Sequence, residues 1–178
     1  LGVAKHLYTT MFMNYSTIAA GTFALAPVLS ILFFSKLKQN KKITKVALAP
    51  AIFNISEPIT FGLPIILNPI YFIPFIIVQP LCFYIAVFFT KIGFIPVVCN
   101  NVPWTVPPII SGILFTGTIA GGLVQLINLV ISMAIYYPFV KIADKMELDK
   151  MTETEKLEAV ETKRVSLLRA RKNETKIS

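Results

Sequence analysis

The first 140 residues of this chain hold a single carboxylate, Glu57, together with all 12 prolines and all 8 glycines. The last 38 residues carry the other 8 acidic side chains and 10 of the 17 basic ones, without a glycine or proline. This segregation limits the fold more than any motif does. An apolar body (1–140) is followed by a short, mixed-charge tail (141–178). The whole chain is 55% hydrophobic and 15% charged, whereas a soluble domain is about 45–50% apolar and about 25% charged. The body reads as an all-α integral membrane protein. Two cysteines are too few for a disulfide-knit scaffold, and eight glycines exclude a collagen-like one.

A bilayer-spanning helix needs about 20 mostly apolar residues, and three stretches qualify: 16–35, 70–90 (kinked at Pro74 and Pro80) and 119–139. After the first comes a basic loop with Lys36, Lys38, Lys41, Lys42 and Lys45. By the positive-inside rule this loop and the tail, which opens with Lys141 and Lys145, are cytoplasmic. No aromatics interleave these lysines, so they signal topology rather than nucleic-acid binding. Two further apolar stretches are interrupted: 46–68 by Asn54-Ile55-Ser56-Glu57-Pro58, and 95–118 by Asn100-Asn101-Val102-Pro103-Trp104-Thr105-Val106-Pro107-Pro108. Proline removes a backbone donor and turns its predecessor away from helix. Non-helical backbone at membrane depth survives only inside protein or beside a water-filled cavity. Both stretches are therefore expected to be re-entrant hairpins or broken helices lining a polar cleft, as discontinuous segments do in transporters. The tail, with Leu148, Met151, Leu157, Val160, Leu167 and Leu168 among charges, is predicted to be an interfacial or solvated helix.

Insertion of an acidic side chain at mid-membrane costs roughly 2.5–3.5 kcal/mol, so such a residue faces a cavity, pairs with a cation or is protonated. Glu57 is thus the candidate for substrate contact or for a catalytic, proton-handling role, the plainer alternative being a lysine partner at the membrane edge. Asn54 and Ser56 add an amide and a hydroxyl beside it, and Pro58 fixes the turn. A carboxylate that accepts and an amide that both donates and accepts suit a polyhydroxylated ligand. Trp104 is either an interfacial anchor or a platform for the apolar face of a sugar ring, and the residues alone leave both open. Asn68, before Pro69, is expected to stabilise a turn through backbone bonding. Cys82 and Cys99 read as inert thiols. His6 has no partner nearby in sequence, and no metal or cofactor motif is present. The opening Leu1–His6 lacks the features of a signal peptide and reads as a processed or truncated start.

At these motifs the chain resembles a known family. The run Phe53-Asn54-Ile55-Ser56-Glu57-Pro58-Ile59-Thr60-Phe61-Gly62-Leu63-Pro64, continuing to Leu67-Asn68-Pro69, is similar to the signature of the membrane-embedded IIC components of the phosphoenolpyruvate-dependent phosphotransferase system, lactose/cellobiose branch. Val102-Pro103-Trp104-Thr105-Val106-Pro107-Pro108, the run from Gln125 to Pro138, and Ser35-Lys36-Leu37-Lys38-Gln39 match it too. The resemblance implies disaccharide uptake across a bacterial inner membrane, with the sugar phosphorylated by a partner IIB phosphocysteine. It implies sugar contacts from Glu57, Asn54 and Trp104, with Ser56 standing where the family usually has asparagine. It also implies a homodimer whose interface is built by N-terminal helices that this match does not reach. Two other readings stand beside it: a non-transporting remnant or membrane interaction module, and an ion-coupled transporter with Glu57 as proton carrier.

Overall fold

A computed structural model describes residues 9–63, 65, 67–98 and 100–174, with 153–174 given as helical backbone. His6 and Cys99 lie outside the described residues. Every regular element among the described residues is helical: α1 (Thr10–Met13), a π-helical turn (Asn14–Ile18), α2 (Leu25–Phe34), α3 (Lys38–Ile52), α4 (Glu57–Gly62), α5 (Pro69–Lys91), α6 (Ile110–Thr116) and α7 (Ile119–Glu174). The chain divides into two compact units, Leu1–Ile142 and Ala143–Ser178. The second consists, where described, of the later turns of α7.

Two helices are long and apolar enough to cross a bilayer, α5 and the Ile119–Thr152 stretch of α7. The 23 residues of α5 reach about 35 Å, against a hydrocarbon core of about 30 Å. These are the spans expected at 70–90 and 119–139. Pro74 and Pro80 sit inside α5, and α7 runs through Pro138. The expected turn at Asn68 is the cap of α5: its side-chain oxygen accepts from the Ile70 N–H at 3.1 Å, and Pro69 occupies the first helical position.

The span expected at 16–35 is not one helix. A π-helical turn ends at Ile18, residues 19–24 form turns, and α2 starts at Leu25. Gly21 takes φ +74°, a conformation that stops a helix and suits glycine. Pro27 falls in the first turn of α2, where its missing N–H costs nothing. Apolar composition alone conceals such a break. A second correction concerns the basic stretch, where the predicted loop is mostly helix, because α3 starts at Lys38. Lys38, Lys42 and Lys45 are exposed while Thr44, Ala47 and Ala51 are buried, the spacing of an amphipathic helix.

The broken segment packs between α5 and α7. Phe12, Tyr15 and Ala19 join Ala86 and Val87 of α5, Phe115 of α6 and Val124 of α7 in one apolar cluster. A second cluster joins Ala26, Val78, Cys82, Leu129 and Tyr136. Helices α6 and α7 meet backbone to backbone: a Cβ on Gly112 would lie 2.6 Å from the Gly121 carbonyl and 2.8 Å from the Gln125 side chain. Small residues permit this approach, as is common between membrane helices. Gly112→Ala is accordingly expected to cost about 2 kcal/mol or more by overpacking, measured as a lower unfolding midpoint of the detergent-solubilised chain. An unchanged midpoint would mean that the two helices are not in contact there.

Candidate functional site

Helix α3 ends in a Schellman arrangement centred on Asn54. The Ile55 N–H donates to the Pro50 carbonyl at 3.1 Å and the Asn54 N–H to the Ala51 carbonyl at 3.0 Å. Asn54 carries the left-handed backbone that this ending needs, φ +61°, and asparagine tolerates it better than most residues. Ser56 and Glu57 follow directly. Ser56 precedes α4 without a side-chain capping bond, and Glu57 is the first residue of that helix, with Pro58 next. Glu57 is exposed, and Ser56 is half-buried.

The Asn54 side chain turns inward. It is 4% exposed, and its Nδ2 donates to the Trp104 carbonyl at 2.7 Å and to the Val106 carbonyl at 2.9 Å. Two segments about 50 residues apart in sequence are thereby joined through one amide. Its Oδ1 has no hydrogen-bond partner among the described residues. The Trp104 indole, by contrast, remains 46% exposed.

The Trp104 segment is irregular between α5 and α6 and is held at three more points. Asn100 Nδ2 donates to the Leu114 carbonyl at 2.8 Å. The Val106 N–H donates to the Pro103 carbonyl at 3.2 Å, closing a turn around Trp104. The Ile109 N–H donates to Gln125 Oε1 at 2.8 Å. Ile109 has φ +74°, a genuine outlier for a β-branched residue and one that surrounding contacts must enforce.

Gln125 is the hub of that enforcement. It is fully buried; its Oε1 accepts from Ile109 N–H and lies 3.0 Å from the Ser111 hydroxyl, and its Nε2 donates to the Tyr15 carbonyl at 2.9 Å. Three residues on, Asn128 Nδ2 reaches the Ser16 carbonyl at 3.3 Å and the Cys82 carbonyl at 3.2 Å. The Ser111 hydroxyl also reaches the Ala19 carbonyl at 3.1 Å. Cys82 is buried against Ser132, with Sγ 3.4 Å from the hydroxyl.

Of the four residues singled out in sequence, Asn54 and Trp104 are linked directly, and Ser56 and Glu57 lie two and three positions beyond the link. Gln125 and Asn128 escaped that reading. Their signal was present: with Ser132 they stand at i, i+3 and i+7 of an otherwise apolar helix, a polar stripe on one face. A cavity of about 610 Å³ opens between the broken segment and α5, lined by Thr17, Phe23, Gln79 and Phe83 among others. None of Asn54, Ser56, Glu57 or Trp104 lines it. Among the described residues no three His, Cys, Asp or Glu side chains gather as metal ligands would.

Residues 2–78 match the family described as phosphotransferase system, EIIC. Over 83% of its length the chain is 42% identical to the oligo-beta-mannoside-specific EIIC component of Bacillus subtilis (strain 168), of which it covers 34%. It is 42% identical to the cellobiose-specific EIIC component of Lactococcus lactis subsp. lactis (strain IL1403), covering 72% of this chain and 26% of that protein. Among solved structures, the transporter ChbC, the IIC component from an N,N'-diacetylchitobiose-specific phosphotransferase system, superposes with a TM-score of 0.75 at 35% identity, over 81% of this chain and 34% of that one. The chain thus spans between about a quarter and a third of the length of these relatives.

Replacing Gln125 by leucine keeps the volume but strands the Ile109 N–H and the Tyr15 carbonyl. The expected loss is about 2–4 kcal/mol of stability, read by thermal unfolding in detergent. A loss within about 0.5 kcal/mol, the scale of an ordinary surface change, would show that the hub is dispensable.

Proposed function

This chain belongs to the phosphotransferase system EIIC family over the part of a permease that it spans, and on that premise we propose that it forms the sugar-contacting part of a disaccharide permease. Members of this family are integral membrane proteins, and two of the helices here have the length and composition to cross a bilayer. In the proposed activity a cellobiose-, lactose- or chitobiose-type disaccharide is carried inward and phosphorylated by the phosphocysteine of a IIB partner. The complete permease crosses the membrane several times as a homodimer, with the Lys36–Lys45 stretch and the tail on the cytoplasmic side.

The observation that carries this reading is the pair of hydrogen bonds from Asn54 to the Trp104 segment. Through it the turn bearing Ser56 and Glu57 and the loop bearing Trp104 become neighbours, although each was an unexplained polar interruption of an apolar sequence. The two interruptions are then the two re-entrant hairpins, and the cleft lies where they meet. The site is formed by Asn54, Ser56, Glu57 and Trp104, with Asn54 joining its two halves from within and the other three turned toward the ligand. An exposed carboxylate makes no ion pair among the described residues and is free to accept from sugar hydroxyls. A half-exposed indole offers an apolar face for the ring and an N–H for a hydroxyl. The Ser56 hydroxyl, uncommitted to capping, both donates and accepts.

Glu57→Gln preserves shape and removes charge. It is expected to weaken cellobiose binding by about tenfold, the scale of one charge-assisted hydrogen bond, in an equilibrium titration of the permease in detergent. Unchanged affinity would remove Glu57 from the site. Sugar phosphate formed only when a phosphorylated IIB component is added would support the coupled reaction. A sugar-driven pH change in vesicles lacking that partner would overturn it in favour of ion coupling.

A further inference from the structure

We propose that Asn54 acts as a positioning residue, a tie whose amide N–H groups hold the Trp104 loop in place. This deepens the sugar-site reading and rests on it. Four observations converge on the role. Both amide hydrogens are spent, one on the Trp104 carbonyl at 2.7 Å and one on the Val106 carbonyl at 2.9 Å. The side chain is 4% exposed, so a sugar reaching the open indole does not meet it. Its remaining polar atom, Oδ1, is buried without a hydrogen-bond partner among the described residues, which is not where a ligand-facing acceptor belongs. And the backbone at Asn54 is left-handed, φ +61°, the conformation with which α3 ends there.

The position therefore asks two things of one residue. It must tolerate a left-handed backbone, which glycine, asparagine and aspartate do best. It must also present two N–H donors on a short stem, which among these three only asparagine does. Glutamine has the donors but a longer stem, and aspartate has the stem but accepts only. Aspartate is worse than neutral here, since its carboxylate would face two carbonyl oxygens. The tie grips carbonyls on either side of Thr105, so it fixes the turn that presents Trp104 rather than the indole itself. That leaves the ring free to meet a ligand while its Cα stays in place.

The experiment uses the fact that Trp104 is the single tryptophan of the chain. Its fluorescence in the detergent-solubilised 178-residue chain reports this loop alone. Acrylamide quenching is measured without sugar in the unmodified chain, in Asn54→Asp and in Asn54→Gly, each with helix content checked by circular dichroism. Losing two hydrogen bonds raises the open fraction of the tie by about tenfold or more. The expected result is a steeper quenching slope in both variants at unchanged helix content. A slope equal to that of the unmodified chain in Asn54→Asp would overturn the proposal. So would a steeper slope in Asn54→Asp alone, since it would assign the effect to the introduced charge rather than to lost donors. Should the variants fail to fold, hydrogen exchange of the Asn54 side-chain amide, read by NMR in the unmodified chain, decides instead. Protected amide protons support the tie, and exchange at the rate of a free asparagine overturns it. Because no sugar is present, a failure of the sugar reading leaves these results intact; it would show separately as absent cellobiose binding by the unmodified permease.

Discussion

Backbone carbonyls that leave a helix inside an apolar layer must find donors, and this requirement organises the fold. The chain breaks after Ile18, and the carbonyls of Tyr15, Ser16 and Ala19 lose their regular helical successors. Water would satisfy them at a surface, but Tyr15, Ser16 and Ala19 are buried, where only other protein groups can do so. Side chains from elsewhere supply the donors: Gln125 to Tyr15, Asn128 to Ser16, and Ser111 to Ala19. The polar stripe of α7 is thus the counterpart of the break, and neither feature is tolerable without the other. The same Gln125 secures the strained backbone at Ile109. One buried amide therefore connects the N-terminal break to the loop that carries Trp104.

Asn54 applies the same device a few residues earlier in that loop. Gln125 and Asn54 are both primary amides, and each bridges backbone groups that no secondary structure could pair. An amide suits this task because it offers two donors and an acceptor without charge, so burial does not incur the penalty of an ion. The carboxylate of Glu57 stands at the exposed start of a short helix instead. Neutral amides do the internal joining, and the carboxylate is left at an exposed position.

Much of this was legible in sequence, for definable reasons. Long apolar runs bounded by polar turns gave α5 and the start of α7, because length and composition determine a bilayer span. Asn68-Pro69 announced a helix start through a local rule that needs no tertiary partner. The break at 19–24 was hidden because Gly21 and Pro27 occur in a run that remains apolar throughout, and hydropathy does not sense backbone direction. The basic segment was mistaken for a loop because a lysine cluster dominates its composition, whereas the burial of Thr44, Ala47 and Ala51 reveals the helix. At Asn54 the residue type drew attention correctly. Its direction, inward to two carbonyls some 50 positions away, is a tertiary property that no local pattern encodes.

The spacing of these bonds also has a consequence in time. The donors for Tyr15 and Ser16 lie 110 and 112 residues further along the chain. A ribosome adding about 5–20 residues per second takes roughly 5–20 s to reach them. Throughout that interval the N-terminal segment is already made while its partners do not yet exist. Until then the carbonyls of Tyr15 and Ser16 lack the side-chain donors that serve them in the finished fold. The discontinuity is therefore fully satisfied only once α7 has been made and delivers its amides.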